Sequence, residues 1–136
     1  LADIIAQTGG LPANTGKIIA GGPMMGRTIP VISMPANKRT TGILYLSEKE
    51  SIRMEPANCM RCAKCVDACP MGLEPFLLAK QAELSLWSDM EKNAIMDCIQ
   101  CGCCLYSCPS YRPLLDYVRM GKATVGGIIR NRAAKK

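Results

Sequence analysis

Nine cysteines, all lying between Cys59 and Cys108, dominate the chemistry available to this 136-residue sequence. Eight of them form two runs, "CMRCAKCVDACP" (59–70) and "CIQCGCCLYSCP" (98–109), which align with each other from end to end without gaps. Each run reads C-x₂-C-x₂-C-x₃-C-P, the bacterial ligation pattern for a four-iron, four-sulfur cluster. Three thiolates spaced in this way can surround one face of a compact cluster. The pattern therefore predicts two [4Fe-4S] clusters.

The fourth cysteine of each run is predicted to bind the cluster of the other run, as it does in two-cluster proteins with this spacing. The proline that follows it fixes φ and biases that cysteine away from helical geometry. The first cluster would be bound by Cys59, Cys62, Cys65 and Cys108. The second cluster would be bound by Cys98, Cys101, Cys104 and Cys69. Such an exchange would tie both halves together, so that metal replaces part of a hydrophobic core.

The ninth cysteine, Cys103, takes the place that Lys64 has in the first run. It is predicted to be a small side chain without a ligand role, the alternative being a redox-sensitive thiol or substitute ligand. Structural zinc is the alternative for the runs themselves. Zinc needs only two C-x-x-C pairs, which would leave the third cysteine and the final Cys-Pro unexplained. The chain has no histidine, which excludes histidine ligation and histidine base chemistry within it.

The formal charge of +6 does not by itself indicate a nucleic-acid partner. Two clusters with their thiolates would add about −4, leaving about +2. One Trp, one Phe and no stacking motif also argue against nucleic acid. With no basic-then-apolar leader and no span of ~20 apolar residues, we expect a soluble, cytosolic protein that can sit on a membrane partner.

Residues 1–52 contain no cysteine and predict a small α+β module. "LADIIAQTGGLP" (1–12) is typical of a short helix that ends at Gly9-Gly10, with Leu1, Ile4, Ile5 and Thr8 on one face. "KIIAGG" (17–22) and "TGILYL" (41–46) predict short strands. Residues 47–58 are predicted to form a polar connection into the second part.

The second part is predicted to be helical outside its two runs. Five apolar residues between the runs are spaced as on one helix face: Leu73, Phe76, Leu77, Leu84 and Trp87. Ser88 with Glu91 resembles a capping box that opens another helix, through about Met96. Because the long segment 70–97 separates Cys69 from Cys98 and looks helical, we expect an all-helical two-cluster module and not a βαββαβ ferredoxin.

A third helix is predicted after the second run, with Pro113 in its first turn and apolar residues Leu114, Leu115, Val118 and Met120. Residues 122–136 are predicted to be a frayed or partner-dependent basic tail. Its charges are expected to be solvated or to meet an acidic partner or headgroup. They are Lys122, Arg130, Arg132, Lys135 and Lys136.

"GGPMMG" (21–26) lacks the order of a phosphate-binding fingerprint and, alone, predicts a tight turn with two methionines. Together with "KIIA" before it, "TTGILYL" after it and the paired cysteine runs, it resembles the C subunit of the Rnf complex, a membrane-associated NADH:ferredoxin oxidoreductase of bacteria. The resemblance covers nearly all of residues 1–121. The GGPMMG loop upstream of a two-cluster module is its most specific element.

The resemblance implies an α+β architecture in three segments. Residues 1–52 would be a partial β-grasp-like, ligand-binding module, 56–121 a helical 2[4Fe-4S] ferredoxin-like domain, and 122–136 the tail. It carries the family's cluster ligands onto the same eight cysteines and gives Cys103 no role. It also implies that the FMN and NADH sites belong to an N-terminal region outside this chain.

The function implied by the resemblance is an electron relay from flavin through two clusters to membrane subunits, coupled to sodium or proton movement. Its partners would be other Rnf subunits and a ferredoxin or flavin domain, at the cytoplasmic side of the bacterial inner membrane as a peripheral protein. No residue here is predicted to perform acid–base or hydride chemistry, so the segment alone would not be an enzyme. The alternatives are an iron–sulfur subunit of a soluble fumarate-reductase-like or heterodisulfide-reductase-like oxidoreductase, and a structural metal module.

Substituting Cys103 and Cys101 separates a bystander thiol from a ligand. We expect Cys103→Ser to retain the full iron content, because the predicted ligand set does not include it. Cys101→Ser is expected to lose one cluster, about half of the iron, since oxygen replaces a thiolate ligand. Iron and sulfide analysis of anaerobically purified protein measures both. Iron loss in the Cys103 variant would contradict the assignment.

Overall fold

The computed structural model describes residues 1–38 and 40–135. It divides into two compact units, Leu1–Met54 and a second unit from Glu55 onwards. The first unit mixes helix and sheet. Its elements are α1 (Ala2–Gln7), β1 (Thr15–Ala20), β2 (Arg27–Thr28), β3 (Ile43–Ser47) and α2 (Glu48–Ser51). The predicted helix and both predicted strands are confirmed. The predicted helix face is confirmed only in part, because Ile4 is exposed while Ile5 is buried.

The three strands form an antiparallel sheet in the order β2-β1-β3. Ile18 in the central strand packs with Leu1 and Ile29 in a small apolar core. Gly16 lies at an irregularity of the β1–β3 register. A Cβ there would come within 2.6 Å of the Glu48 Cα atom. The glycine therefore lets α2 pack directly against the sheet.

The "GGPMMG" segment connects β1 to β2 and leaves both methionine side chains exposed, as a tight turn predicts. Gly21 has φ +103, a backbone conformation that favours glycine. At Gly26, a Cβ would lie 2.3 Å from a methyl carbon of Ile19 and 2.5 Å from the Gly22 oxygen. The return of the chain from this turn into β2 thus depends on a residue without a side chain.

A capping box starts α2, within residues 47–58, which are predicted to form a polar connection. The Ser47 hydroxyl accepts a hydrogen bond from the backbone N–H of Glu50, and the Glu50 carboxylate accepts one from the backbone N–H of Ser47 at 3.0 Å. The capping box predicted at Ser88 and Glu91 is wrong. Ser88 lies inside a helix whose N-cap is Leu86, and the Glu91 carboxylate binds an arginine instead.

The regular elements described in the second unit are helical. They are α3 (Lys64–Asp67), α4 (Pro75–Glu83), α5 (Trp87–Lys92), a 3₁₀ turn (Ile95–Asp97), α6 (Cys103–Tyr106) and α7 (Leu114–Ala134). The α4, α5 and α7 helices and the 3₁₀ turn pack on one another. Their shared core has fully buried members from each of these elements: Leu78, Met90, Ile95, Val118 and Val125.

The single helix face predicted between the two runs is broken in the structure. Leu73 precedes α4, and Leu84 follows it with 56 % of its surface exposed. Ser85 adopts φ +56, which turns the chain before Trp87 begins α5. The helical spacing of apolar residues continues across this turn. The sequence pattern therefore predicted one helix face where the structure has two short helices. Phe76 and Leu77 do lie on α4 and are partly buried.

The predicted basic tail is instead the C-terminal half of α7, which runs from Leu114 to Ala134. Val125 is fully buried there, and Arg132 binds both oxygens of the Glu91 carboxylate at 2.9 Å. A frayed tail is therefore wrong for residues 122–134, while Lys136 lies outside the described residues. The glycines suggested a loose segment, but Gly121 and Gly126 are both buried, and at Gly121 the helix passes closer to Met90 than a Cβ would allow.

Replacing Gly121 tests whether α7 is held by this close contact. A Cβ there would lie 2.2 Å from the Met90 Cε atom, and Met90 is fully buried. We expect Gly121→Ala to lower the free energy of unfolding by up to about 2 kcal/mol, because overpacking costs about 1–3 kcal/mol and helix propensity offsets up to about 1 kcal/mol of it. Thermal unfolding of the cluster-loaded protein measures it.

Gly127→Ala is the matched control on the same helix. The nearest atom to a Cβ at this position, on Arg130, would be 3.9 Å away. The substitution should stabilise the protein by up to about 1 kcal/mol through helix propensity. Equal effects of the two substitutions would contradict the packing explanation.

Candidate metal centres

The two cysteine runs fold in the same way at equivalent positions. The α3 helix and the α6 helix each have four residues and occupy matching places in the sequence repeat. Their N-caps are left-handed, with φ +60 at Ala63 and φ +86 at Gly102. Their C-caps, Ala68 and Ser107, both have φ −79. The repeat in sequence is thus a repeat in backbone conformation.

Left-handed residues flank the second cysteine of each run. Arg61 has φ +55 and its counterpart Gln100 has φ +56, each two positions before one of the left-handed N-caps. A non-glycine residue in this conformation costs about 1–2 kcal/mol. Alternating backbone handedness turns successive N–H groups into one concavity, which binds anions. A thiolate-bound [4Fe-4S] cluster is an anion of this kind, and the loops fit it.

The first cavity contains the first three cysteines of the first run and the last cysteine of the second. Its thiols are those of Cys59, Cys62, Cys65 and Cys108. The cavity has a volume of about 150 Å³, and Phe76 and Leu114 also line it. Cys65 is buried at its base, whereas Cys59 and Cys62 are exposed. This cavity therefore opens to solvent on the side of the first run.

The second cavity has the reciprocal composition. Its thiols are those of Cys69, Cys98, Cys101 and Cys104. Leu73, Leu78, Leu115 and Val118 close it, and its free volume is only about 20 Å³. Its four cysteines are all partly buried. The second cavity is therefore better shielded from solvent than the first.

The structure brings together in each cavity the four cysteines that were grouped from the spacing. Cys69 leaves its own run for the second cavity, and Cys108 leaves its own run for the first. Cys103 lines neither of these two cavities. Thiolates are the donors that iron–sulfur clusters take, and the donor set fits one cluster in each cavity.

The pKa values of two thiols reflect the same grouping. Burial raises the pKa of Cys65, and the neighbouring Cys108 and Cys59 raise it further. Burial raises the pKa of Cys104 to about 12, and Cys98, Cys101 and Cys69 raise it further. These thiols hold protons that a cluster must displace when it binds. Cluster loading is thus favoured as the pH rises toward these pKa values.

Cys103 has a different environment. Its pKa is raised first by a hydrogen bond with the Cys101 side chain and then by burial. The contact favours the protonated thiol. Its predicted lack of a ligand role stays a prediction.

Three hydrogen bonds lie at the second cavity, one from a backbone N–H and two from a lysine side chain. The N–H of Gln100 donates to the Cys98 sulfur at 3.4 Å, an N–H···S contact. The Lys122 ammonium donates to the backbone oxygen of Met96 at 2.8 Å and to that of Cys98. Sequence reasoning missed Lys122 by placing it in a tail. The spacing of Val118, Lys122 and Val125 at i, i+4 and i+7 was the signal that could have found it.

Two features are absent from the part of the chain that the structure describes. Over residues 1–38 and 40–135, no helix combines the length and hydropathy that crossing a lipid bilayer requires. In the same residues, no three Cys, Asp or Glu side chains converge closely enough to form a site for a single metal ion.

Paired four-thiol cavities within a repeated loop define a two-cluster iron–sulfur protein, and residues 51–109 match the family of 4Fe-4S dicluster domains. Proteins named as C subunits of ion-translocating oxidoreductase complexes match most of the chain. The one from Acetobacterium woodii, of a Na⁺-translocating ferredoxin:NAD⁺ oxidoreductase complex, is 42 % identical over 90 % of this chain. The chain belongs to this family, the C subunits of Rnf complexes.

Two further relatives agree. The C subunit of a proton-translocating ferredoxin:NAD⁺ oxidoreductase complex from Clostridium ljungdahlii is 36 % identical over 97 % of this chain. The C subunit of an ion-translocating oxidoreductase complex from Methanosarcina acetivorans is 34 % identical over 92 %. The chain spans 28 % of the length of each of these three relatives. The resemblance to the C subunit of the Rnf complex, inferred from the sequence, is confirmed.

Exchanging the residues at the two left-handed N-caps tests the strain in the loops. Glycine relieves the cost of φ +60 at Ala63, and alanine introduces that cost at Gly102. After the entropy cost of glycine, we expect Ala63→Gly to stabilise the cluster-loaded protein by about 0.5–1 kcal/mol. Gly102→Ala should destabilise it by at least as much. Thermal unfolding measures both, and a change of the same sign at the two positions would contradict the conformational explanation.

Proposed function

We propose that this chain is the electron-relaying part of an Rnf-type complex, with one [4Fe-4S] cluster in each cavity. The first cluster is bound by Cys59, Cys62, Cys65 and Cys108. The second cluster is bound by Cys98, Cys101, Cys104 and Cys69. The observation that carries the proposal is the exchange of the last cysteine between the two cavities, which the spacing alone had predicted.

Each bound cluster supplies reversible one-electron transfer, and the chain's own residues determine how favourable that transfer is. The thiolates fix each cluster within its loop. The left-handed Gln100 directs its N–H to the Cys98 sulfur, and such a hydrogen bond raises the reduction potential of a bound cluster. The apolar lining of the second cavity excludes water.

The two sites are lined by neighbouring residues of the same two helices, α4 and α7. Leu114 lines the first cavity and Leu115, the next residue of α7, lines the second. On α4, Phe76 lines the first cavity and Leu78 lines the second. This arrangement would allow an electron to pass between clusters bound in the two cavities.

The wider role follows from what the relatives are named to do. We propose that electrons come from FMN and NADH sites in a part of the subunit outside this chain and continue to membrane subunits. The coupled ion is Na⁺ or H⁺, since relatives named for each match the chain. The protein would be peripheral, on the cytoplasmic side of the membrane, with a ferredoxin or flavin domain as redox partner.

The finer architecture belongs to the same proposal. Residues 1–52 are a partial β-grasp-like module, supported by the helix and antiparallel sheet of the first unit. Residues 56–121 are an all-helical 2[4Fe-4S] module, supported by the described helices and the dicluster match. A fumarate-reductase-like or heterodisulfide-reductase-like subunit would share the cluster runs. The relatives match the first unit as well, which favours the Rnf assignment.

Pairs of cysteine substitutions test which thiols share a cluster. Cys69→Ala with Cys101→Ala removes two ligands of the second cluster, so we expect about half of the iron and sulfide to remain. Cys69→Ala with Cys62→Ala removes one ligand from each cluster, so almost no iron should remain. If each run bound its own cluster, the two double variants would exchange these results.

Electron paramagnetic resonance of the anaerobically reduced protein completes the test. The wild-type chain should show reversible one-electron reduction of two clusters. The variant with Cys69→Ala and Cys101→Ala should show it for one cluster. Full metal content without a redox-active signal would contradict the relay and leave a structural metal module.

A further inference from the structure

Lys122 places a positive charge beside the second cavity. Its ammonium donates to the backbone oxygen of Met96 at 2.8 Å and also to that of Cys98, whose thiol lines the cavity. The side chain is partly buried. The charge therefore lies behind the backbone of a cluster-binding cysteine.

The fold fixes this charge from both sides. Val118 and Val125, one turn before and nearly one turn after Lys122, are 2 % and 0 % exposed. At Gly121 the helix passes so close to Met90 that a Cβ would lie 2.2 Å from its Cε atom. The helix cannot rotate without losing these contacts, so the ammonium stays over the carbonyl groups.

The electrostatic surroundings of the two cavities differ. Arg61 and Arg112 are among the residues that line the first cavity, and Arg112 forms an ion pair with Glu83. Among the described residues that line the second cavity, none carries a charged side chain. A cluster in that apolar setting becomes harder to reduce, because reduction adds negative charge where the dielectric constant is low.

We propose that Lys122 is a positioning residue that raises the reduction potential of the second cluster. This inference rests on the proposed function, in which the second cavity holds a [4Fe-4S] cluster. A fixed positive charge favours the reduced, more negative form of a nearby cluster. Lys122 thereby offsets the effect of burial on the reduction potential of the second cluster. It brings that potential closer to the reduction potential of the more exposed first cluster.

The test is a redox titration, followed by electron paramagnetic resonance, of the cluster-loaded full chain. Lys122→Gln retains an N–H donor for the carbonyl oxygens but removes the charge. It should lower the reduction equilibrium constant of one cluster about tenfold, or ~59 mV for one electron, and leave the other within about twofold. Lys122→Arg should leave both within about twofold.

Lys135→Gln is the matched control for the loss of one positive charge near the same helix. It lies more than three helical turns further on, about 20 Å along the axis, and should shift neither potential. If Lys122 only closed the 3₁₀ turn, Lys122→Gln would leave both potentials unchanged or shift them equally, and the proposal would be wrong. A shift of the same size in Lys135→Gln would overturn it as well.

Lys122→Met provides a second test of the proposal if the Lys122→Gln variant does not take up both clusters. It removes the same charge and retains the aliphatic stem, so the same fall in one potential is expected. Loss of the second cluster in both neutral variants, with full loading of Lys122→Arg, would assign Lys122 to cluster assembly and overturn the tuning role. Two clusters in the wild-type chain with unshifted potentials in the variants would overturn only this inference. A wild-type chain that loads no iron would overturn the proposed function with it.

Discussion

Each cysteine run sends its last thiol into the cavity formed by the other run's first three. This exchange constrains the rest of the second unit, because neither cavity is complete without both ends of the segment. The chain between the runs forms α4 and α5, which pack with α7 in the shared core. The metal sites and the helical core are therefore parts of one arrangement, and loading either cavity should stabilise both halves.

The thiols are also members of the apolar core. Cys69 and Cys98 pack against the group that contains Leu78 and Val118, while Cys65 is itself buried beside Leu114. A protein with few aromatic residues has limited apolar volume to bury. Bonds between thiolates and a bound cluster would supply folding stability that its apolar side chains do not. The left-handed Arg61 and Gln100 fit this view, since conformations of this cost persist where the surroundings determine them strongly.

The sequence predicted the site better than the fold around it. The cysteine spacing is set by the size of a cluster, so it groups the eight thiols as the cavities do. Helix boundaries depend on longer-range contacts. Ser85 turns the chain within an apolar pattern that continues past it, and Ser47 caps a helix in a segment predicted only as a polar connection. Lys122 was missed because glycines and charges suggest a loose tail when the partner surface of α7 is unknown.

The exchanged thiols have a consequence for the ancestry of the module. A half-length polypeptide with one run would supply three ligands to its own site and one to a neighbour's, so it could complete no site alone. Two identical copies related by a twofold axis could complete both sites by reciprocal donation. Gene duplication and fusion would then preserve the geometry of such a homodimer. The matched left-handed caps at Ala63 and Gly102, at equivalent positions of the two runs, are what that history would leave behind.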